Sequence, residues 1–162
     1  MPVQNLSLEV IEDFLAQSRI AMVGISREPA STSVALFKEL CRRGYDVVPV
    51  NPAVPEVLGR KCFARVQDIE PPVEAALLMT SPAVTQKVVC DCAEAGIHRV
   101  WMYRGVGPGA VSLEAVDFCR ERGIRVVPGE CPFMFLPQSD SIHRLHGFFR
   151  KITGRYPKHA HA

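Results

Sequence analysis

The chain has 162 residues, 48% hydrophobic and 22% charged, with 19 basic against 17 acidic side chains and a formal net charge of +2. That size and composition suit a folded domain burying about two-thirds of its unfolded surface, and exclude a disordered, collagenous or low-complexity chain. A balance so close to neutral supplies no general attraction to nucleic acid or to an anionic membrane.

What charge there is gathers at the ends. Residues 1–18 carry three acids and no base, whereas residues 140–162 carry five bases, one acid and four of the five histidines. The basic tail reads as the solvated face of a terminal helix, and it also suits an anionic partner. There is no run of 18 apolar residues and no basic stretch leading into an apolar one at the N-terminus, so a cytoplasmic protein is expected. In that compartment Cys41, Cys62, Cys90, Cys92, Cys119 and Cys131 are expected to be reduced and mostly buried. Cys90 and Cys92 have no second pair at zinc-site spacing, so no metal is expected.

In chain order, a first helix is expected over residues 7–17, with Leu8, Ile11, Phe14 and Leu15 on one face and Ser7 as its cap. RIAMVG (19–24) reads as a strand. Leu36, Phe37, Leu40 and Cys41 then share a helical face that stops at Gly44. DVVPV (46–50) is a second strand. Residues 51–73 hold four prolines and the turn-like LGRKCF, so a loop is expected there, with at most a short helix near Val66–Ile69. EAALLM (74–79) is the third strand, followed by a helix through Val84, Val88, Val89, Cys92 and Ala95 that stops at Gly96. HRVWM (98–102) is the fourth, with His98 at its start, followed by a helix through Val111, Ala115, Phe118 and Cys119 that stops at Gly123. IRVVP (124–128) is the fifth, and a terminal helix spans residues 140–153.

The five strand runs start about 25 residues apart and lack polar alternation, the pattern of strands buried on both faces of a parallel sheet. Strand and helix alternate, and right-handed crossovers then place helices on both faces. The expected fold is α/β: a doubly wound, five-stranded parallel sheet in three layers, α/β/α. No linker divides the chain, so residues 1–162 are read as a single domain.

Ligands of such sheets bind beyond the carboxyl ends of the strands, near the point where strand order reverses. Five segments therefore become candidates: 24–32, 51–52, 80–82, 102–105 and 129–132. In the first, Gly24 permits close approach to the backbone, the following helix start favours a phosphate, and Arg27 adds a bidentate donor. An ordinary βα turn with a capping serine fits the same residues. The dinucleotide fingerprint G-x-G-x-x-G is missing, since GVGPGA has the wrong spacing. Asn51 and Pro52 stand where an NAD site places its ribose-binding carboxylate, which argues against hydride transfer. No nucleophile elbow, phosphate loop or nucleophile–base pair occurs, and His143 and His146 stand at i and i+3 without a metal-ligand set, so no catalytic residue is assigned. Cys131 is either a buried spacer or a thiol lining the pocket.

Taken in order, VGISREP, VPVNP, LGRKCF, TSP and GECP resemble the CoA-binding proteins of Rossmann type over about residues 15–137. The set is also similar to the N-terminal domain of the succinyl-CoA synthetase α subunit. The resemblance implies a Rossmann-like fold and coenzyme A or an acyl-CoA as ligand. It matches Gly24, Ser26 and Arg27 to the pyrophosphate loop, with Ile25 and Ser31 beside them, and Asn51 and Pro52 to the edge against which adenosine packs. Ser81 and Pro82, with Thr80, match the turn on the other side of the adenine. Tyr103 and Arg104 match positions along the pantetheine path, and Cys131 and Pro132 the turn near that arm. One departure stands out. Family members often carry a lysine after the Asn-Pro pair to meet the 3′-phosphate, whereas Ala53 and Val54 follow here, so either Arg60 or Lys61 substitutes or the preference for CoA over other adenine nucleotides is weakened. Nothing after residue 137 is long enough to supply the synthetase's phosphohistidine domain. The expectation is thus a CoA-binding protein without catalysis of its own, with a small-molecule nucleotide ligand and no nucleic-acid or membrane partner. The alternatives are a small NAD(P)-dependent oxidoreductase and a CoA-linked redox sensor acting through Cys131.

Overall fold

A computed structural model describes residues 7–137. Helix α1 (Leu8–Leu15) starts at Ser7, whose hydroxyl accepts the Glu9 amide at 3.2 Å. Then follow β1 (Arg19–Val23), α2 (Thr32–Arg42), β2 (Asp46–Val50), β3 (Glu56–Val57), β4 (Arg60–Lys61), β5 (Ala75–Leu78), α3 (Pro82–Glu94), β6 (Arg99–Met102), α4 (Leu113–Glu121) and β7 (Arg125–Pro128). All five expected strands are present, within a residue or two at their ends, and β6 starts one residue after His98. The three internal helices stop where expected: Gly44, Gly96 and Gly123 have φ of +94°, +75° and +69°, the left-handed conformation that ends a helix. The expected terminal helix, with His143 and His146, lies outside the described residues.

The main sheet is parallel throughout, in the order β2-β1-β5-β6-β7. Strand residues alternate between two cores. Ile20, Met22, Val47, Ala75, Leu77, Trp101 and Val127 face α1 and α2, whereas Ala21, Val23, Val48, Ala76, Leu78, Val100 and Met102 face α3 and α4. This Rossmann-like arrangement follows from crossover handedness. The chain moves one way from β1 to β2 and the other way at every later step, so α2 lies on one face and the later connections lie on the opposite one. The face behind β6 and β7 would then be bare. Helix α1 covers it, with Phe14 edge-on to Trp101 at 5.3 Å between ring centres. Trp101 is fully buried.

Residues 51–73 depart from expectation. Besides a single 3₁₀ turn at Val66–Asp68, they contain the β3–β4 hairpin, joined through Leu58 and Gly59, both with positive φ (+49° and +77°). Phe63, just after the hairpin, forms a parallel bridge to Val50 and lies along the outer side of β2. Among the described residues, no helix is long and apolar enough to cross a membrane.

Candidate functional site

Strand order reverses at β1, so the crevice lies where β1 and β5 end side by side. The Gly24 amide donates to the Val50 carbonyl at 2.9 Å, still in register with β2. At φ +85° Gly24 then turns away, and a Cβ there would sit 3.0 Å from both the Met79 carbonyl oxygen and Thr80 Cγ2. Only glycine lets the chain leave β1 this close to the end of β5.

The loop that follows is held by serines. Ser33 Oγ, buried, accepts the Ser26 amide at 2.9 Å, and Ser26 Oγ accepts the Glu28 amide at 3.0 Å. Ser31 caps α2 by accepting the Val34 amide at 3.3 Å and shares a hydrogen bond of 3.1 Å with Ser33. The first amides of α2 have no carbonyl one turn back, and the helix dipole adds positive potential there. Arg27 is exposed beside them. Ile25 is different: its side chain is fully buried, and its carbonyl accepts Asn51 Nδ2 at 2.9 Å. Asn51 Oδ1 accepts the Ala53 amide at 2.8 Å, turning the chain through exposed Pro52. Asn51 therefore ties the β1 loop to the end of β2.

Across the crevice, the Thr80 hydroxyl shares a 2.6 Å hydrogen bond with buried Thr85. Ser81 is the N-cap of α3, with Pro82 at its first position, but its exposed hydroxyl makes no bond to its own helix. Farther along, half-buried Tyr103 stands near buried Cys131. Burial is the main cause that pushes the Tyr103 phenol up to about 12, with Cys131 adding to it. Burial raises the Cys131 thiol as well. Cys131 and Pro132 are buried, so both serve as packing under the rim.

Charge is sorted across the sheet. Arginines of the amino-terminal edge are neutralised by Asp13 and Asp46: Arg99 and Arg125 approach Asp13 at 2.8 and 2.9 Å, and Arg19 and Arg60 each approach Asp46 at 2.9 Å. Arginines at helices α2 and α4 pair with Glu39 and Asp117, Arg65 before the 3₁₀ turn pairs with Asp91, and Arg122 lies over the Phe118 ring. Among the described arginines, only Arg27 and Arg104 have neither a carboxylate nor a ring partner, and both stand at the carboxyl ends of strands. Arg60 cannot serve that edge, because Asp46 and the Val47 carbonyl hold it at the opposite end of β2. Lys61 points elsewhere, its ammonium 4.7 Å from the Phe63 ring centre, and Phe63 accepts the Asn51 amide. Of the two cations expected to replace the missing lysine, only Lys61 lies near the Asn51 corner. A cleft of about 220 Å³ between α3 and α4, lined by Cys90, Ala93, Glu94, Phe118 and Arg122, lies on the flank of the molecule. Among the described residues, no three His, Cys, Asp or Glu side chains form a metal-sized cluster.

Residues 18–137 match the model of the CoA-binding domain family. The chain belongs to that family. An uncharacterised Bacillus subtilis protein, YneT, is 30% identical to this CoA-binding domain over 129 residues, which is 79% of this chain and 93% of YneT. An ADP-forming acetate–CoA ligase of Methanocaldococcus jannaschii is 23% identical over 116 residues, covering 69% of this chain and 16% of the ligase. The CoA-binding domain thus corresponds to a small part of that enzyme. Among solved structures, a hypothetical protein of Pyrococcus horikoshii OT3 superposes with a TM-score of 0.73 at 32% identity, covering 82% of this chain and 91% of that one.

Sequence reasoning missed three contributors to the geometry: Ser33 as acceptor for the loop, Thr85 as partner of Thr80, and Phe63 as the support of Asn51. Ser33 and Thr85 stand in the first turn of a helix, where a hydroxyl signals capping more often than loop support. Phe63 follows a hairpin that the sequence did not announce.

Proposed function

We propose that this chain binds coenzyme A or an acyl-CoA along the carboxyl edge of its sheet and catalyses no reaction there. The observation that carries the reading is the crevice at Gly24, where β1 and β5 end in contact and the start of α2 meets unpaired Arg27. In this reading the pyrophosphate lies against the loop from Gly24 to Ser31. Adenosine packs between the Asn51–Pro52 corner and the Thr80–Pro82 turn, where the free Ser81 hydroxyl offers a hydrogen bond. Lys61, not Arg60, meets the 3′-phosphate. The pantetheine arm crosses the edge toward Tyr103 and Arg104.

Family membership supports the ligand class, and the side chains support the absence of hydride transfer. The amide of Asn51 is committed to Ile25 and Ala53, and no carboxylate stands there for a ribose. A redox role for Cys131 gains no support from a buried thiol with a raised pKa. A reducing, cytoplasmic setting is part of the same proposal, in keeping with six unpaired cysteines.

Thermal denaturation in the presence of CoA, acetyl-CoA, NAD, NADP or ATP tests the reading. A ligand at a hundred times its dissociation constant stabilises the fold by about 2.7 kcal/mol, so CoA and acetyl-CoA should raise the melting temperature clearly above the NAD and ATP curves. A larger rise with NAD would transfer the site to a dinucleotide.

A further inference from the structure

Arg104 has no role that the fold demands. Its backbone is fixed, since its amide donates to the Glu130 carbonyl at 3.0 Å and the loop behind it is closed by the Ala110 amide on the Tyr103 carbonyl at 2.7 Å. The same Glu130 carbonyl accepts the Trp101 indole at 3.2 Å. The Arg104 side chain lies across Gly129, where a Cβ would stand 3.6 Å from Nε. The arginine is therefore anchored at its root and directed over the end of β7, its guanidinium exposed and facing no carboxylate among the described residues.

Arg27 is its counterpart after β1, two strands from β6, which Arg104 follows, and three from β7, over whose end the Arg104 side chain lies. Neighbouring strands lie about 4.8 Å apart, so the ends of β1 and β7 are separated by about 14 Å. A diphosphate alone does not bridge such a gap. A long ligand with an anion at each end and an uncharged arm between them does. The floor beside Arg104 suits that arm, because the half-buried, uncharged Tyr103 stands at the end of β6 and Cys131 is buried beneath the rim.

We propose that Arg104 is a second anion contact that selects thioesters whose acyl group ends in a carboxylate. The inference rests on the CoA site proposed above, with the pyrophosphate at Arg27 and the thioester toward β6 and β7. A guanidinium accepts a carboxylate through two parallel hydrogen bonds. A neutral acyl chain offers it nothing to replace water.

Calorimetric titration with succinyl-CoA and butyryl-CoA, which have the same number of acyl carbons, tests this on wild type, Arg104→Ala and Arg104→Gln, each checked by a melting curve. The wild type should bind succinyl-CoA more tightly on the order of tenfold, equivalent to about 1.4 kcal/mol, and both variants should bring the ratio near one. A ratio near one in the wild type, or a ratio that survives in Arg104→Ala, overturns the assignment. So does a preference for CoA over dephospho-CoA that disappears with Arg104→Ala, since it would put the 3′-phosphate on this arginine. Failure of CoA itself to bind the wild type is a different result, and takes down the underlying ligand reading together with this one.

Discussion

Removing the side chain of Asn51 should loosen the crevice from one corner. Asn51→Ala deletes two hydrogen bonds, from Nδ2 to the Ile25 carbonyl at 2.9 Å and from the Ala53 amide to Oδ1 at 2.8 Å. The Ile25 side chain is fully buried, so its carbonyl has little freedom to turn toward water. With a net contribution of about 1 kcal/mol for each bond, the expected loss is about 2 kcal/mol. For a chain of this size that lowers the melting temperature by about 6 °C. Asn51→Asp keeps the acceptor for Ala53 but sets a carboxylate against a carbonyl, so it should be no more stable than the alanine variant. Differential scanning calorimetry of the three proteins gives the stability, and CoA titration gives the effect on the loop. A melting temperature unchanged in Asn51→Ala would refute the view that this side chain ties the β1 loop to β2. Lost affinity at unchanged stability would make Asn51 a direct ligand contact.

Arg27→Ala should weaken CoA binding tenfold to a hundredfold, from the roughly 1.5–3 kcal/mol of a charge-assisted hydrogen bond. The melting curve without ligand should not move, because Arg27 is exposed. At the other end of α2, a hydrogen bond from Arg42, reinforced by Arg43, holds the Glu39 carboxyl down at about 2, against an ordinary 4.5. The folded pKa lies below the unfolded one, so the stabilisation is complete above pH 4.5 and fades as the pH falls toward 2. Glu39→Gln should flatten that part of the acid limb in urea midpoints measured against pH, and an identical acid limb would show that the pair is not coupled to folding. Native alkylation with iodoacetamide near neutral pH, followed by peptide mapping, should label exposed Cys90 first and leave Cys131, Cys92 and Cys119 intact, their thiols raised by burial. Early labelling of Cys131 would restore its claim to a redox role.

The strands were legible because a parallel sheet covered on both faces leaves a plain trace, short β-branched runs separated by helical periods and glycine stops. The β3–β4 hairpin left none. A two-residue turn with both φ positive usually displays asparagine before glycine, and here Leu58 occupies that position at +49°. With the hairpin unseen, Arg60 and Lys61 looked interchangeable. Consecutive strand residues point to opposite sides, so one reaches back to Asp46 while the other lies over Phe63. Site residues were legible as positions at strand ends, not as directions. Ile25 turns inward to the core that Ile20, Met22 and Trp101 also occupy and Cys131 is buried, and only three-dimensional packing separates them from outward neighbours such as Arg27.

Helix α1 lies upstream of the stretch that marks kinship with other CoA-binding domains, which begins at residue 18. Yet Ile11 and Phe14 are 1% and 2% exposed in the core against Trp101, and Asp13 sits between Arg99 and Arg125. The stretch that defines the family and the cooperative folding unit are therefore different lines on this chain. A fragment cut at residue 18 would wet the indole and leave two guanidinium groups facing each other at the foot of adjacent strands. Such a fragment should self-associate through the uncovered face, so the helix outside the family-defining stretch acts as the molecule's own protection against aggregation.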